Sequence, residues 1–160
     1  TSPVIRKFLE LSKPPKLMVL MVQKEVGERV IASPPDTSVL SVAVQFYARS
    51  NIIAKVTRTC FYPSPKVDSA IIKMEKNDQY IKKVKGKEKL FFQLVKAGFS
   101  SKRKQLLGNI IRSFDIPRQL TQNVFQKVGL DNKIRAQELT IEQWIELLPE
   151  IEGYIIINSK

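Results

Sequence analysis

The 160-residue chain contains no histidine and one cysteine, Cys60. These counts exclude Ser-His-Asp and Cys-His catalysis, most zinc sites and an internal disulfide, and they point to a reducing compartment. The net charge of +12 is unevenly spread: residues 1–79 carry 12 basic and 7 acidic side chains, residues 80–135 carry 14 and 3, and residues 136–160 carry 1 and 5. A polyanionic partner, nucleic acid first, explains such a basic stretch; a basic, solvated surface is the plainer alternative.

In chain order, Thr1 or Ser2 can cap an opening helix, with Pro3 in its first turn and Val4, Ile5, Phe8 and Leu9 as one apolar stripe. A helix already under way at a residue other than Met reads as a piece of something longer, and the stretch "TSPVIRKFLE" itself has no signal-peptide layout. A proline loop leads to Leu17–Val22, a continuous apolar run expected to be a strand buried on both faces, as in a parallel α/β sheet. Residues 23–32 read as a short helix whose Glu25 and Glu28 lack any partner for acid–base or metal chemistry.

Residues 37–50 have the β-branched content of a strand. Val39, Leu40, Ala43, Val44 and Tyr47 nevertheless keep helical spacing, and a helix is expected. Residues 51–62 and 67–76 read as antiparallel neighbouring strands joined by a stiff proline connection. Residues 77–87, polar and basic, read as a linker. Helical patterns follow over 88–100, 101–114, 115–130 and 139–151, the last capped by Thr140 with Gln143 at the capping-box position. The expected layout is a mixed α/β part over residues 1–79 and a small all-α part over residues 80–160.

Two places carry possible chemistry. In "FYPSPKVDS", Pro63 and Pro65 fix their own φ and restrict their neighbours, so Phe61 and Tyr62 have little entropy left to lose on binding. A nucleobase can stack on such a ring; alternatively, Phe61 is a core ring at a strand end. Asp68 and Ser69 are placed to tie the loop to the sheet. The second place is Lys102, Arg103 and Lys104, expected in the first turn of a helix capped by Ser100 or Ser101. Cations there oppose the helix dipole, a penalty that a bound phosphate reverses. The alternative is three solvated side chains. Arg112 extends the basic set. Cys60, with no histidine to activate it, is expected to be buried and inert.

"FYPSPKVDSAII" resembles the Phe-x-Pro-x-Pro-Lys-Val-Asp-Ser-Ala-Val signature of the ribosomal RNA adenine dimethyltransferases. "VLMVQKEVGERVIA", "SVLSVAVQFYA", "LVKAGFSSKRKQLLGNI" and "IRAQELTIEQWIEL" match further family segments in order, over about residues 1–150, and favour the small-subunit KsgA type. The resemblance implies the C-terminal part of a Rossmann-like class I methyltransferase sheet, with about three strands of which the last two are antiparallel, followed by a helical RNA-binding domain.

The resemblance also implies that the parent enzyme is cytoplasmic, takes S-adenosylmethionine and no metal, and methylates N6 of adjacent adenosines in 16S rRNA of a pre-30S particle. Phe61 aligns with the aromatic that stacks on the target adenine, and Tyr62, Pro63, Pro65 and Lys66 shape its loop. Lys102 stands where the family has Arg, which removes a guanidinium fork. The family's Gly-rich cofactor turn and its Asn-(Ile/Leu)-Pro-(Tyr/Phe) catalytic motif are not in this sequence. No catalytic or cofactor-binding residue is therefore expected, and the piece alone is expected to be inactive. Without the family's preceding strand, Leu17–Val22 is an edge expected to self-associate.

A non-enzymatic RNA-binding or ribosome-assembly module is the alternative reading. A DNA-binding helix-turn-helix over 101–130 ranks last, because its second helix shows no evident row of base-reading Arg, Asn and Gln.

Overall fold

The computed structural model describes residues 2–9, 11 and 13–157. Helix α1 (Ser2–Leu9) precedes strand β1 (Leu17–Gln23), helices α2 (Lys24–Ile31) and α3 (Val39–Tyr47), and strands β2 (Ala48–Val56) and β3 (Ser69–Lys76). Helices α4 (Gln79–Val84), α5 (Glu88–Gly98), α6 (Leu106–Phe114), α7 (Arg118–Lys127) and α8 (Ile141–Ile157) follow. The chain divides into two compact units. One comprises the described residues up to Ala32 with Leu40–Tyr80; the other comprises Ser33–Val39 and the described residues from Ile81 onward.

In the first unit β3 is the central strand, in the order β1-β3-β2, and both neighbours run antiparallel to it. The β2–β3 pairing follows the expected hairpin, with a register shift between Ile52 and Ala54 that leaves Ile53 exposed. One face of the sheet carries the core: Val22, Ala48, Ile72 and Met74 pack with Ile5 and Leu9 of α1, Val30 of α2, and Leu40 and Val44 of α3.

The other face is open, which corrects the expectation that Leu17–Val22 is buried on both sides. Leu17, Val19 and Met21 are 52, 52 and 56% exposed, while Val22 is buried. An antiparallel sheet needs only one covered face, and a continuous apolar run conceals the period of two that would reveal this. The opening helix is likewise buried on a narrower stripe than expected: Ile5 and Leu9 face the core, and Val4 and Phe8 are exposed. The expected cap at Thr1 or Ser2 lies outside the described residues and side chains.

The division between the two units falls between Tyr80 and Ile81, inside the expected linker 77–87, which also carries helix α4. Asn77 Oδ1 accepts from Gln79 N–H at 3.2 Å and starts α4, Tyr80 stacks on Phe46, and Val84 is buried. The turn Lys85–Gly86 that follows has positive φ at both residues. Helix α3 passes directly into β2 at Ala48, three residues before the expected strand start, because Ala48 is already buried in the sheet core.

The second unit is a helical cluster around Phe91, Leu94, Leu106, Ile110, Phe125, Trp144 and Ile151, all fully buried. The Thr140–Gln143 capping box is formed: Gln143 N–H donates to Thr140 Oγ1 at 3.2 Å, and Thr140 N–H donates to Gln143 Oε1 at 2.9 Å. Thr37, through its amide and hydroxyl, donates to Gln137 O at 3.2 and 2.8 Å, which places Ser33–Val39 in this unit.

Gly98 lets α5 approach α8: a Cβ there would overlap Trp144 Cη2 and lie 2.8 Å from Leu106 Cδ1. Both neighbours are buried and cannot move freely. Gly98→Ala is therefore expected to destabilise this unit by about 1–3 kcal/mol, despite the higher helix propensity of Ala. Thermal unfolding followed by circular dichroism checks this; an unchanged or raised Tm would show that α8 yields at no cost.

Candidate nucleic-acid interface

The loop from Thr57 to Asp68 is organised by the backbone of Arg58. Its N–H donates to Asp68 Oδ1 at 2.9 Å, and its carbonyl accepts from Ser64 Oγ at 2.9 Å and from Phe61 N–H at 3.3 Å. Asp68 O in turn accepts from Lys24 N–H at 2.9 Å, joining the end of the loop to the start of α2. Asp68 thus does what its short polar side chain suits it for. Phe61 emerges half-buried, just past the 3-10 turn Arg58–Cys60, and Tyr62 is fully exposed. Pro63, Pro65 and Lys66 are exposed, and the Tyr62–Pro63 peptide is cis. Cys60 is exposed, not buried as expected, because the 3-10 turn carries it off the end of β2; its Sγ lies 3.4 Å from Thr57 Oγ1.

The basic cluster sits differently from its expected place in a first helical turn. Residues 101–104 form a turn closed by Lys104 N–H to Ser101 O at 2.9 Å, and α6 begins only at Leu106. The cause is the buried side chain of Asn109, whose Nδ2 donates to Gly98 O at 2.6 Å and to Ser101 O at 3.1 Å. With the carbonyl of Ser101 engaged in the turn, the chain enters α6 through Gln105 in an extended conformation. The cations therefore precede the helix, and no dipole penalty arises within it.

A second backbone bond completes the site. Leu106 N–H donates to Ile134 O at 2.8 Å, drawing the 133–135 segment against the start of α6. Lys133 and Arg135, on either side of Ile134, thereby join Arg103 and Lys104 around an open concavity of about 550 Å³, also lined by Gln105 and Gly108. Among the described residues none of these four cations is ion-paired. The lysines that α8 does neutralise are others: Lys87 on Glu152 at 2.7 Å and Lys127 on Glu150 at 2.8 Å. Gly108 leaves the helix surface bare where a Cβ would meet nothing within 4 Å. Lys102 and Arg112 are exposed but do not line the concavity; Arg112 lies one turn beyond Gly108 on α6.

Sequence reading missed Lys133 and Arg135, since two isolated cations carry no signal until a long-range bond places them. It also missed a row of carboxamides. Gln119, Gln122, Asn123 and Gln126 of α7 follow helical spacing and line one concavity, which corrects the statement that this helix has no polar reading face.

The residues do not fit an S-adenosylmethionine site. Among the described residues the strand-to-helix connections of this α/β unit, Gln23–Lys24 and Asn77–Asp78, contain no glycine. Gly27, further along α2, is used for packing: its Cβ position lies 3.2 Å from Ala70 Cβ. Among the described residues no acidic or cysteine cluster can hold a metal ion, and no helix is long and apolar enough to cross a membrane.

The chain is 39% identical over 149 residues to ribosomal RNA small subunit methyltransferase A of Clostridium botulinum, covering 92% of this chain and 54% of that protein. It is 36% identical over 157 residues to the namesake of Clostridium perfringens, covering 97% and 54%. The chain thus spans about half the length of these relatives. By fold it resembles a dimethyladenosine transferase from Plasmodium falciparum, with TM-score 0.78 and 24% identity over 96% of this chain and 63% of that one. It also resembles the 23S rRNA methyltransferase ErmE, with TM-score 0.64 and 19% identity over 94% and 60%. The family model described as ribosomal RNA adenine dimethylase matches residues 1–152, and the chain belongs to that family.

Proposed function

We propose that this chain is the RNA-engaging part of a cytoplasmic, S-adenosylmethionine-dependent dimethyltransferase that acts on N6 of adjacent adenosines in 16S rRNA of a small-subunit precursor. The observation that carries this reading is the concavity of four unpaired cations, joined to membership of the family. Four like charges held together repel one another, and a polyanion relieves that cost. Arg103, Lys104, Lys133 and Arg135 hold phosphates; Gly108 lets the backbone come close.

In the other unit the Thr57–Asp68 loop presents Phe61 as the face on which an extruded adenine stacks, with Tyr62 and Lys66 alongside and Pro63 and Pro65 stiffening the loop. An enzyme that modifies a base must take it out of its stack and hold it, and a ring with little freedom to lose does so at low entropic cost. No transfer step is assigned to residues of this chain. The uncovered edge of β1, with Leu17, Val19 and Met21 outward, is the place where a second copy adds a strand.

Binding to a small-subunit rRNA hairpin, titrated across salt concentrations, tests the grip. The variant Arg103→Ala/Lys133→Ala/Arg135→Ala is expected to lower the slope of log K against log salt by about two to three, as lost phosphate contacts require. Phe61→Ala is expected to weaken binding about ten-fold at unchanged slope, the loss of one stacked base. Equal binding by all three proteins would overturn the assignment.

Calorimetric titration with S-adenosylmethionine is expected to give no heat beyond dilution, and a micromolar dissociation constant would contradict the absence of a cofactor turn. Sedimentation equilibrium is expected to show a dimer that Val19→Lys dissociates. A monomeric wild-type chain would remove the proposed edge contact.

A further inference from the structure

A strip of the exposed surface of α7 carries amides, between the exposed cations Arg118 and Lys127. Gln119, Gln122, Asn123 and Gln126, with Asn132 from the following loop, line an open concavity of about 590 Å³ that shares Lys133 with the cationic one. On the opposite side of the same helix Thr121 and Phe125 are fully buried, so the row is the surface that α7 turns away from its core. Gln119 Nε2 donates to Asn123 Oδ1 at 3.1 Å. Among the described residues no hydrogen bond engages the side chains of Gln122, Gln126 or Asn132.

This surface suits a particular chemistry. A carboxamide both donates and accepts, whereas a phosphate only accepts. Asp131 also lines the concavity, with its Oδ1 held by Lys133 N–H at 2.6 Å, and its negative charge disfavours a phosphate there. Base edges and ribose 2′-hydroxyls both donate and accept. The row from residue 119 to 126 extends about 10 Å along the helix, a length that spans several base pairs. A-form RNA displays such groups in its wide, shallow minor groove, while its major groove is too deep and narrow for side chains to read. Resting on the RNA-binding reading above, we propose that the α7 carboxamide row reads the minor groove of an RNA helix through 2′-hydroxyls and base edges. The adjacent cations take the flanking phosphates, so affinity and selectivity come from two neighbouring surfaces of one unit.

The test compares an RNA duplex of about 16 base pairs with the DNA duplex of the same sequence, by fluorescence anisotropy across salt concentrations. The variant is Gln122→Ala/Asn123→Ala/Gln126→Ala in the full 160-residue chain. Alanine favours helix, and circular dichroism confirms that α7 persists. RNA affinity is expected to fall about ten-fold or more with the salt slope unchanged, and DNA affinity by less than about two-fold, so that preference for RNA is lost. Lys133→Ala/Arg135→Ala, by contrast, is expected to weaken both duplexes and to lower the slope by about two.

An alanine variant that binds RNA as tightly as wild type overturns the proposal while leaving the cationic grip intact. One that loses RNA and DNA equally shows a general contact and also overturns it. A wild-type chain that binds neither duplex nor hairpin overturns the RNA reading itself, and this inference with it.

Discussion

The buried carboxamide of Asn109 governs the geometry of the cationic site. By donating to Gly98 O and Ser101 O it closes the turn between α5 and α6, and so decides where Arg103 and Lys104 stand. A buried amide left without these partners would cost about 1–3 kcal/mol, so the turn and the side chain enforce each other. The same turn ends the close approach of α5 to α8 at Gly98, where no side chain fits beside Trp144. Packing in the helical core and placement of surface charge are thus one constraint, and the Leu106–Ile134 bond extends it to Lys133 and Arg135.

What was legible in the sequence was what local chemistry decides. The Thr140–Gln143 box, the β2–β3 hairpin, the helical phase of residues 39–47 and the tie made by Asp68 each depend on residues close in the chain. What was not legible depends on distant partners. "LMVLMV" has no period, so nothing in it reveals that only one face of the sheet is covered. The start of α6 was misplaced because Ser100 and Ser101 look like caps, and only Asn109, eight residues beyond Ser101, claims the carbonyl that makes them a turn. Helix α4 within the linker was not legible because the lysines there outnumber the two contacts, Tyr80 on Phe46 and the burial of Val84, that fix it.

The distribution of acidic residues explains how a broadly basic unit acquires a local site. The acidic side chains of α8 neutralise Lys87 and Lys127, yet among the described residues none is ion-paired with the four cations around the start of α6. Charge balance therefore varies over the surface, and at the four-cation site the carboxylates of Asp131 and Glu138 bind backbone amides of Lys133 and Arg135 at 2.6 Å and not their side chains. Exposed ion pairs such as these add little stability, and their larger effect here is to remove competing positive surface.

Charge alone does not distinguish one nucleic acid from another, because phosphate contacts position a partner without reading it. Selectivity needs groups that respond to what differs between partners, and the groups proposed for that role here are uncharged. The amide face of α7 lies beside the cations through the shared Lys133, and both surfaces are fixed by the same loop after α7, in which Asp131 holds the amides of Lys133 and Ile134. A change that loosened this loop would disturb grip and reading together. A change confined to the amides would disturb reading alone, and this separability makes the division of labour a physical statement about the site.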